Sequence, residues 1–176
     1  MSLLRFLGIG GATRDHESEP ASLAEIGAQL DALPREEARF VAAFAYLLAR
    51  IAGADLRTDD VERDSIAHRL ETFAEVDHEL ARLLAETAIR AAATHHASDD
   101  HLVARAFRNM TEQPERIRLL RCLYAVAAAD EKISTVEDNE IFEVAVAIGV
   151  RRTDVITLRM EFKEHLGVLK ALPSER

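Results

Sequence analysis

Cysteine is almost absent from this chain, and its single thiol, Cys122, excludes an internal disulfide. Cys122 lies in the apolar run 119–129, where a thiol normally behaves as a small buried hydrophobe, so we expect no catalytic cysteine. No apolar run approaches the roughly 20 residues that a membrane-spanning helix needs. Residues 1–10 also lack a well-charged segment before their apolar part, which argues against a secretion signal. We therefore expect a protein of the cytoplasm.

Positive charge is also in short supply. The chain has 22 Lys and Arg against 31 Asp and Glu, a formal net charge of -9. Such a balance repels a phosphate backbone unless a local basic patch overrides it. The nearest approach to a patch, at Arg116, Arg118 and Arg121, is a helix face interrupted by apolar residues. Nucleic acid is thus not an expected partner.

Catalytic motifs are missing as well. No histidine is tied by its spacing to a nucleophile, and no Gly-rich loop suited to phosphate appears. The Gly8-x-Gly10-Gly11 pattern follows no predicted strand. We expect no enzymatic activity from this sequence.

Proline is scarce, and alternating strand patterns are absent beyond residue 20. Residues 1–20 end in a polar stretch bounded by glycine and proline, which predicts a flexible lead-in. In residues 21–176 apolar side chains recur at helical spacing, and Pro34 and Pro114 fall in or before the first turn of a predicted helix. These features predict an all-α protein, a single-domain helical bundle of about seven to eight helices.

Two stretches, residues 40–52 and 119–129, are apolar nearly all round, which is typical of buried helices. They belong to a repeat. A shift of 75 positions aligns identical residues, among them Leu48, Ala54, Asp55, Val61, Glu62 and Ile66 on Leu123, Ala129, Asp130, Val136, Glu137 and Ile141. We predict a duplicated unit, at about residues 40–66 and 115–141, whose copies are related by a pseudo-two-fold rotation.

Each unit carries an acidic loop between two helices, within residues 54–62 and 129–137. Ser134 followed three residues later by Glu137 has the spacing of a capping box, and Asp59 with Glu62 is its counterpart in the first unit. On this interpretation the two glutamates only satisfy N–H groups at the start of a helix.

The aspartates of these loops, Asp55 and Asp130, follow the ends of helices, where the negative end of the macrodipole disfavours a carboxylate. Their charge is offset either by basic neighbours and loop N–H groups or by a hard cation. The cation hypothesis takes calcium or magnesium as the ion and Asp55, Glu62, Asp130 and Glu137 as ligands. Further oxygen donors are available nearby from Asp60, Glu131 or Asp138. The loops lack the length and central glycine of an EF-hand, so the predicted site is incomplete and weak.

The second unit also carries a family resemblance. Its apolar helix, the pair Ala129-Asp130, the short loop, Glu137 and Ile141 resemble the TerB-like family, the tellurite resistance protein B group. The N-terminal domain of a membrane-anchored DnaJ-like co-chaperone is similar to this group. The resemblance covers about residues 22–167. It implies an all-helical fold with internal pseudo-symmetry, a negatively charged surface that binds metal, and a link to tellurite or general stress responses, often near the membrane.

The motif of that family is matched here at four acidic positions, Asp55, Glu62, Asp130 and Glu137. Family members usually have glycine directly after the aspartate, whereas this sequence has leucine or glutamate, at Leu56 and Glu131. The departure predicts a different turn in each loop.

A second candidate metal site lies in residues 94–101, which gather three histidines and two aspartates at a predicted helix junction. Adjacent His95 and His96 point about 100° apart on a helix. Ser98 suits the cap of the helix that follows. These two features favour a structural interpretation of the segment.

Two functional hypotheses follow. In the first, the protein is a non-enzymatic stress-response or tellurite-resistance module whose acidic loops bind a divalent cation. In the second, it is a protein–protein interaction scaffold whose loop acids are only structural. In both, the expected partner is another protein. The apolar opening, residues 3–9, leaves a peripheral contact with a membrane surface open, although Arg5 is its single cation; the oligomeric state is not predicted.

Overall fold

Seven α-helices build the described part of the chain. The computed structural model describes residue 30 and residues 33–52, 60–94, 97–129 and 131–167. The helices, in chain order, are α1 Arg35–Ala52, α2 Asp60–Phe73, α3 His78–Thr94, α4 Ala97–Met110, α5 Gln113–Ala127, α6 Thr135–Ala147 and α7 Arg152–Glu161. None of these helices is long and apolar enough to cross a membrane. The predicted all-α fold is confirmed, while the predicted lead-in, residues 1–20, lies outside the described residues.

Helix α1 is the centre of the bundle, and it packs against α2, α3, α4, α5 and α6. Residues 41–49 of α1 are all buried, which requires a segment without a polar face. On the side of α4, the rings of Phe44 and Phe107 lie 6.4 Å apart, and Phe40 stacks on both. Most of α5 from Leu119 onward is buried as well. The predicted packing of the two apolar segments on each other is therefore confirmed.

Pro34 and Pro114 lie at helix starts, as the sequence predicts. Pro34 directly precedes α1, and Pro114 is the second residue of α5. The first N–H groups of a helix have no partner within the helix, so proline removes nothing there. At the start of α5, the N–H of Glu112 donates to Oε2 of Glu115 at 2.8 Å. Both helix starts predicted around proline are thus confirmed.

The helix bounds follow the predicted repeat. Helix α1 ends at Ala52 and α5 at Ala127, while α2 begins at Asp60 and α6 at Thr135. Each pair is separated by the same 75 positions as the sequence identities. The two units therefore share the spacing from the end of one helix to the start of the next. Their relation by a two-fold rotation stays a prediction.

A glycine turn after α6 brings α7 back onto α5 and α6. Gly149 has a φ of 78°, in the left-handed region that favours glycine. Its N–H donates to the carbonyl of Val146, and the N–H of Val150 donates to the carbonyl of Ala145 at 2.9 Å. This pair of bonds is a Schellman motif, which satisfies carbonyls at the helix end. As a result, α7 packs beside the acidic first turn of α6.

Candidate functional site

The four predicted ligands are described to different extents. Asp55 and Asp130 lie outside the described residues. Glu62 lies in the first turn of α2, and its side chain is not described. Glu137, in the first turn of α6, is described in full. The geometry of the site is therefore built from the second unit, around Glu137.

Glu137 forms the predicted capping box with Ser134. The N–H of Ser134 donates to Oε2 of Glu137 at 2.7 Å, and the N–H of Glu137 donates to Oγ of Ser134 at 3.2 Å. Ser134 has the extended backbone typical of an N-cap. Only 4% of Glu137 is exposed. The capping interpretation of this glutamate is confirmed, because its carboxylate satisfies a backbone N–H at the helix start.

Asp138, the next residue, is held by an arginine from another helix. Nε of Arg159 in α7 donates to both carboxylate oxygens at 2.9 Å, and Nη2 donates to Oδ2 at 2.7 Å. The hydroxyl of Tyr124 in α5 donates to Oδ1 at 3.3 Å. Asp138 is one of the further oxygen donors that the cation hypothesis offers. Its side chain is only 13% exposed and is already bound by the guanidinium of Arg159 through two nitrogens, so a positive charge within the fold compensates it.

The titration of the neighbours agrees with this pairing. The hydrogen bond to Asp138 raises the pKa of Arg159 further above its usual value, against a smaller opposing effect of burial. Burial, together with the negative charge of Asp138, raises the pKa of Tyr124 well above its usual range. Arg159 therefore stays charged, and Tyr124 stays neutral, over the physiological range.

The loop between α5 and α6 contains a strained residue. Glu131 has a φ of 71°, in the left-handed region that glycine adopts without penalty. Its N–H donates to the carbonyl of Ala128 at 3.0 Å. Glu131 directly follows Asp130, at the position where the family resemblance of the sequence implies glycine. At this residue the backbone has a conformation that glycine favours, and the predicted difference from the turn of the family stays a prediction.

The last described residues, 163–167, are hydrogen-bonded to the same loop. Ile133 and Leu166 form an isolated parallel bridge, in which the N–H of Ile133 donates to the carbonyl of His165 at 2.8 Å. The N–H of Gly167 donates back to the carbonyl of Ile133 at 3.0 Å. Nδ1 of His165 lies 3.4 Å from the carbonyl oxygen of Glu131. The 3₁₀ turn Lys163–His165 and the two residues after it thus lie along the acidic loop.

A second polar cluster joins α1, α4 and α6. Nε of Arg50 donates to Oδ2 of Asp100 at 2.8 Å, and its Nη2 donates to Oε1 of Glu140 at 3.0 Å. The hydroxyl of Tyr46 donates to Oδ1 of Asp100 at 2.6 Å. Burial acts to lower the pKa of Arg50, but Asp100 and Glu140 outweigh it and raise the pKa. The sequence contains no local signal for this cluster, since Arg50 is separated from its partners by 50 and 90 positions.

The remaining candidate sites are weaker. Asp100, one of the acids in the histidine-containing segment 94–101, is engaged by Arg50, while His95 and His96 lie outside the described residues. No group of three or more His, Cys, Asp or Glu suited to a metal occurs among the residues that were placed. Cys122 is buried, and burial raises its pKa to about 12. Its thiol is therefore protonated at neutral pH and unsuited to nucleophilic attack.

Comparison with protein families shows where the chain belongs among known proteins. A family model described as Tellurite resistance protein TerB matches residues 40–160, well over half of the chain. The match includes both repeat units and runs from α1 into α7. No curated protein and no solved structure matches the chain.

Proposed function

The chain belongs to the tellurite resistance protein TerB family, and we propose that it serves there as a non-enzymatic stress-response module that binds another protein. On this proposal the described acids of the second unit are structural. They fix the start of α6 and the position of α7, and they leave the surface of the two units for the partner.

The observation that supports this proposal most directly is the engagement of Glu137 and Asp138. Glu137 caps α6, and Asp138 is clamped by Arg159 across the contact between α6 and α7. A cation at these carboxylates would have to displace both a backbone N–H and a guanidinium. Replacing charge-assisted hydrogen bonds of this kind is unfavourable for a weakly bound divalent ion.

Support for partner binding comes from two valines at matched positions. Val61 and Val136 are an identical pair of the repeat, each the second residue of its helix. They are 53% and 50% exposed. Single exposed apolar residues are common on protein surfaces. A partner that contacts both helix starts would meet the same exposed apolar residue in each unit.

Site-specific photo-crosslinking in cells exposed to tellurite tests the proposal. A photoreactive amino acid at Val61 or Val136 is expected to give the same crosslinked protein. The matched control carries the probe at Glu143, which is also exposed and lies on α6. Crosslinks that occur equally from the control position, or none from either valine, contradict the proposal.

Divalent-cation binding is the second candidate function. Its support is the position of the loop aspartates, because α1 ends at Ala52 and α5 at Ala127, shortly before Asp55 and Asp130. A carboxylate close to a helix C-terminus is disfavoured by the dipole unless something offsets it. A net charge of -9 also favours cations near the surface.

Thermal unfolding with and without millimolar calcium or magnesium tests this candidate. Binding to the folded state alone raises the midpoint. If Asp130 is a ligand, Asp130→Asn abolishes that rise and leaves the metal-free protein at least as stable as the wild type. If Asp130 accepts hydrogen bonds from its loop, Asp130→Asn instead destabilises the protein by about 1 kcal/mol in both conditions. An equal metal response in both proteins excludes Asp130 as a ligand.

A further inference from the structure

We infer that the segment 163–167 is a strap that holds the second acidic loop in a strained shape and can open without unfolding the helical bundle. The strap comprises the 3₁₀ turn, Leu166 and Gly167. The residues of the loop that the structure describes beside it are 128–129 and 131–134. The strap couples the shape of the second acidic loop to contacts made more than 30 residues further along the chain.

The strap is attached through a small number of contacts at one point. Both backbone hydrogen bonds of the bridge meet at Ile133, one through its N–H and one through its carbonyl. Leu166 and Ile133 are each only 1% exposed, so their side chains are inserted into the core. No further strand pairing continues the bridge among the residues the structure describes. An attachment of this kind opens as one local unit, because its two bonds share a single residue.

The loop beneath the strap stores backbone strain. A non-glycine residue at the φ of Glu131 is less stable than in the right-handed or extended regions. Such a conformation persists only when its surroundings enforce it. The strap supplies that enforcement on one side, since His165 lies against the Glu131 carbonyl and Ile133 is bonded two residues further on. Opening the strap therefore allows Glu131 to relax.

Close packing at Gly167 makes the strap sensitive to small changes. A Cβ atom added there would lie 3.2 Å from the Ile133 carbonyl oxygen and 3.2 Å from Cε of Lys132. The lysine side chain can move, whereas the carbonyl accepts the Gly167 hydrogen bond and is fixed by the bridge. A methyl group at Gly167 is thus expected to push the strap away from the loop.

On this inference the loop is strained while the strap is closed and relaxed when the strap opens, and a binder at the loop selects between these two shapes. A binder that needs the relaxed shape opens the strap, and one that fits the strained shape tightens it. If a binder at the loop changes the opening equilibrium of the strap by some factor, opening of the strap changes the affinity for that binder by the same factor, because the two equilibria are linked. The strap is therefore a built-in control on whatever the second acidic loop recognises.

Amide hydrogen exchange measured by NMR on the full chain tests the strap. In the wild type, the Ile133 and Gly167 amides are expected to exchange at the same opening rate, and faster than the buried amides of α1. Leu166→Ala should accelerate both at least tenfold relative to α1, with shifts in the Glu131 resonances. The matched control is Leu158→Ala in α7, since Leu158 is equally apolar and 3% exposed but lies outside the bridge.

The control also defines failure. If Leu158→Ala accelerates the Ile133 and Gly167 amides as selectively as Leu166→Ala does, the segment is ordinary core and the strap does not exist. Unchanged Ile133 exchange in Leu166→Ala overturns the inference as well. Gly167→Ala is the milder variant should Leu166→Ala not fold, and it should raise exchange at Ile133 by several-fold. Equal exchange in Gly167→Ala and the wild type would then contradict the inference.

Discussion

Asp138 and Asp154 both pair with an arginine, but the surroundings of the two pairs differ. Asp138 accepts a two-pronged contact from Arg159 across two helices, and its side chain is 13% exposed. Asp154 pairs with Arg151 three residues earlier, and the side chains of Asp154 and Arg151 are 24% and 79% exposed, against 13% and 26% for Asp138 and Arg159. Water and salt screen the second pair, so its net contribution to stability is small. The first is shielded and fixes the position of α7.

Asp138→Asn is expected to destabilise the protein by about 1.5 to 3 kcal/mol, the scale of hydrogen bonds to charged groups, because Arg159 loses its counter-charge. Asp154→Asn is the matched control and should lose less than about 1 kcal/mol. Urea unfolding of both variants measures the difference. An equal loss in the two proteins would show that the pair between α6 and α7 is worth no more than a surface contact.

Glu131 offers a prediction of the opposite sign. Glycine adopts a φ of 71° without the steric penalty of a Cβ, so Glu131→Gly is expected to stabilise the protein by up to about 1 kcal/mol. Glycine in a helix has the reverse effect, and Glu143→Gly at an exposed position of α6 should lose about 1 kcal/mol. Midpoints of thermal unfolding for the two variants should move in opposite directions. A lower midpoint for Glu131→Gly would mean that the glutamate side chain contributes more than its backbone strain removes.

The helices themselves are set mainly by local chemistry. Helix α5 has a proline as its second residue, and α6 begins at a serine–glutamate capping box. Both signals lie within four residues of the helix start. The two glutamate caps differ in burial, because Glu137 is buried and Glu115 is exposed. Removing a buried acceptor leaves an N–H without a partner, whereas water replaces an exposed one.

Glu137→Ala is expected to lose about 2 kcal/mol, combining the cap with the unsatisfied N–H of Ser134. Glu115→Ala should lose less than about 1 kcal/mol. Chemical denaturation gives the two values directly. If Glu115→Ala loses as much stability as Glu137→Ala, burial of the glutamate does not explain how much the cap of α6 contributes.

Features of this local kind could be predicted from the sequence. The buried helices followed from their apolar surface, the proline positions from the missing N–H, and the cap at Glu137 from its three-residue spacing to Ser134. Each depends on residues that are neighbours along the chain. The same reasoning gave the family resemblance, which rests on the spacing from helix to Asp to Glu.

Contacts between distant segments could not be predicted. Arg159 lies 21 positions after Asp138, and Asp100 lies 50 after Arg50. Charged residues are common on helices, so no periodicity distinguishes the arginine that reaches a buried acid from one that faces water. The bridge at Ile133 was missed for the same reason, since one paired residue produces no strand pattern. The proposed ligands Asp55 and Asp130 remain predictions.

At the scale of the whole molecule, burial of titratable groups makes stability depend on alkaline pH. Cys122 has a pKa of about 12 in the fold against its usual 9.0, with burial as the largest cause. The unfolded chain therefore loses this proton from about pH 9 upward, while the folded chain keeps it. The sign is that stability is complete below pH 9 and falls as pH rises towards 12.

Wild-type protein is expected to lose stability with a slope of up to about 1.4 kcal/mol per pH unit from this one group above pH 9. Cys122→Ala lowers the overall stability through its cavity but should show a shallower slope between pH 9 and 10.5. Urea unfolding at several pH values measures both slopes, and pH 6 to 8 serves as the internal control. Parallel slopes in the two proteins would show that the thiol does not contribute.

The central place of α1 has a consequence for how the chain folds as it is made. Helix α1 is complete at Ala52, but α5 and α6, which cover part of it, end only at Ala127 and Ala147. At translation speeds of about 5 to 20 residues per second, the apolar surface of α1 stays without these partners for roughly 5 to 20 seconds. During that interval the nascent chain exposes apolar helix surface that other chains can bind. The yield of folded protein in the cell should therefore depend on chaperones that bind chains during synthesis.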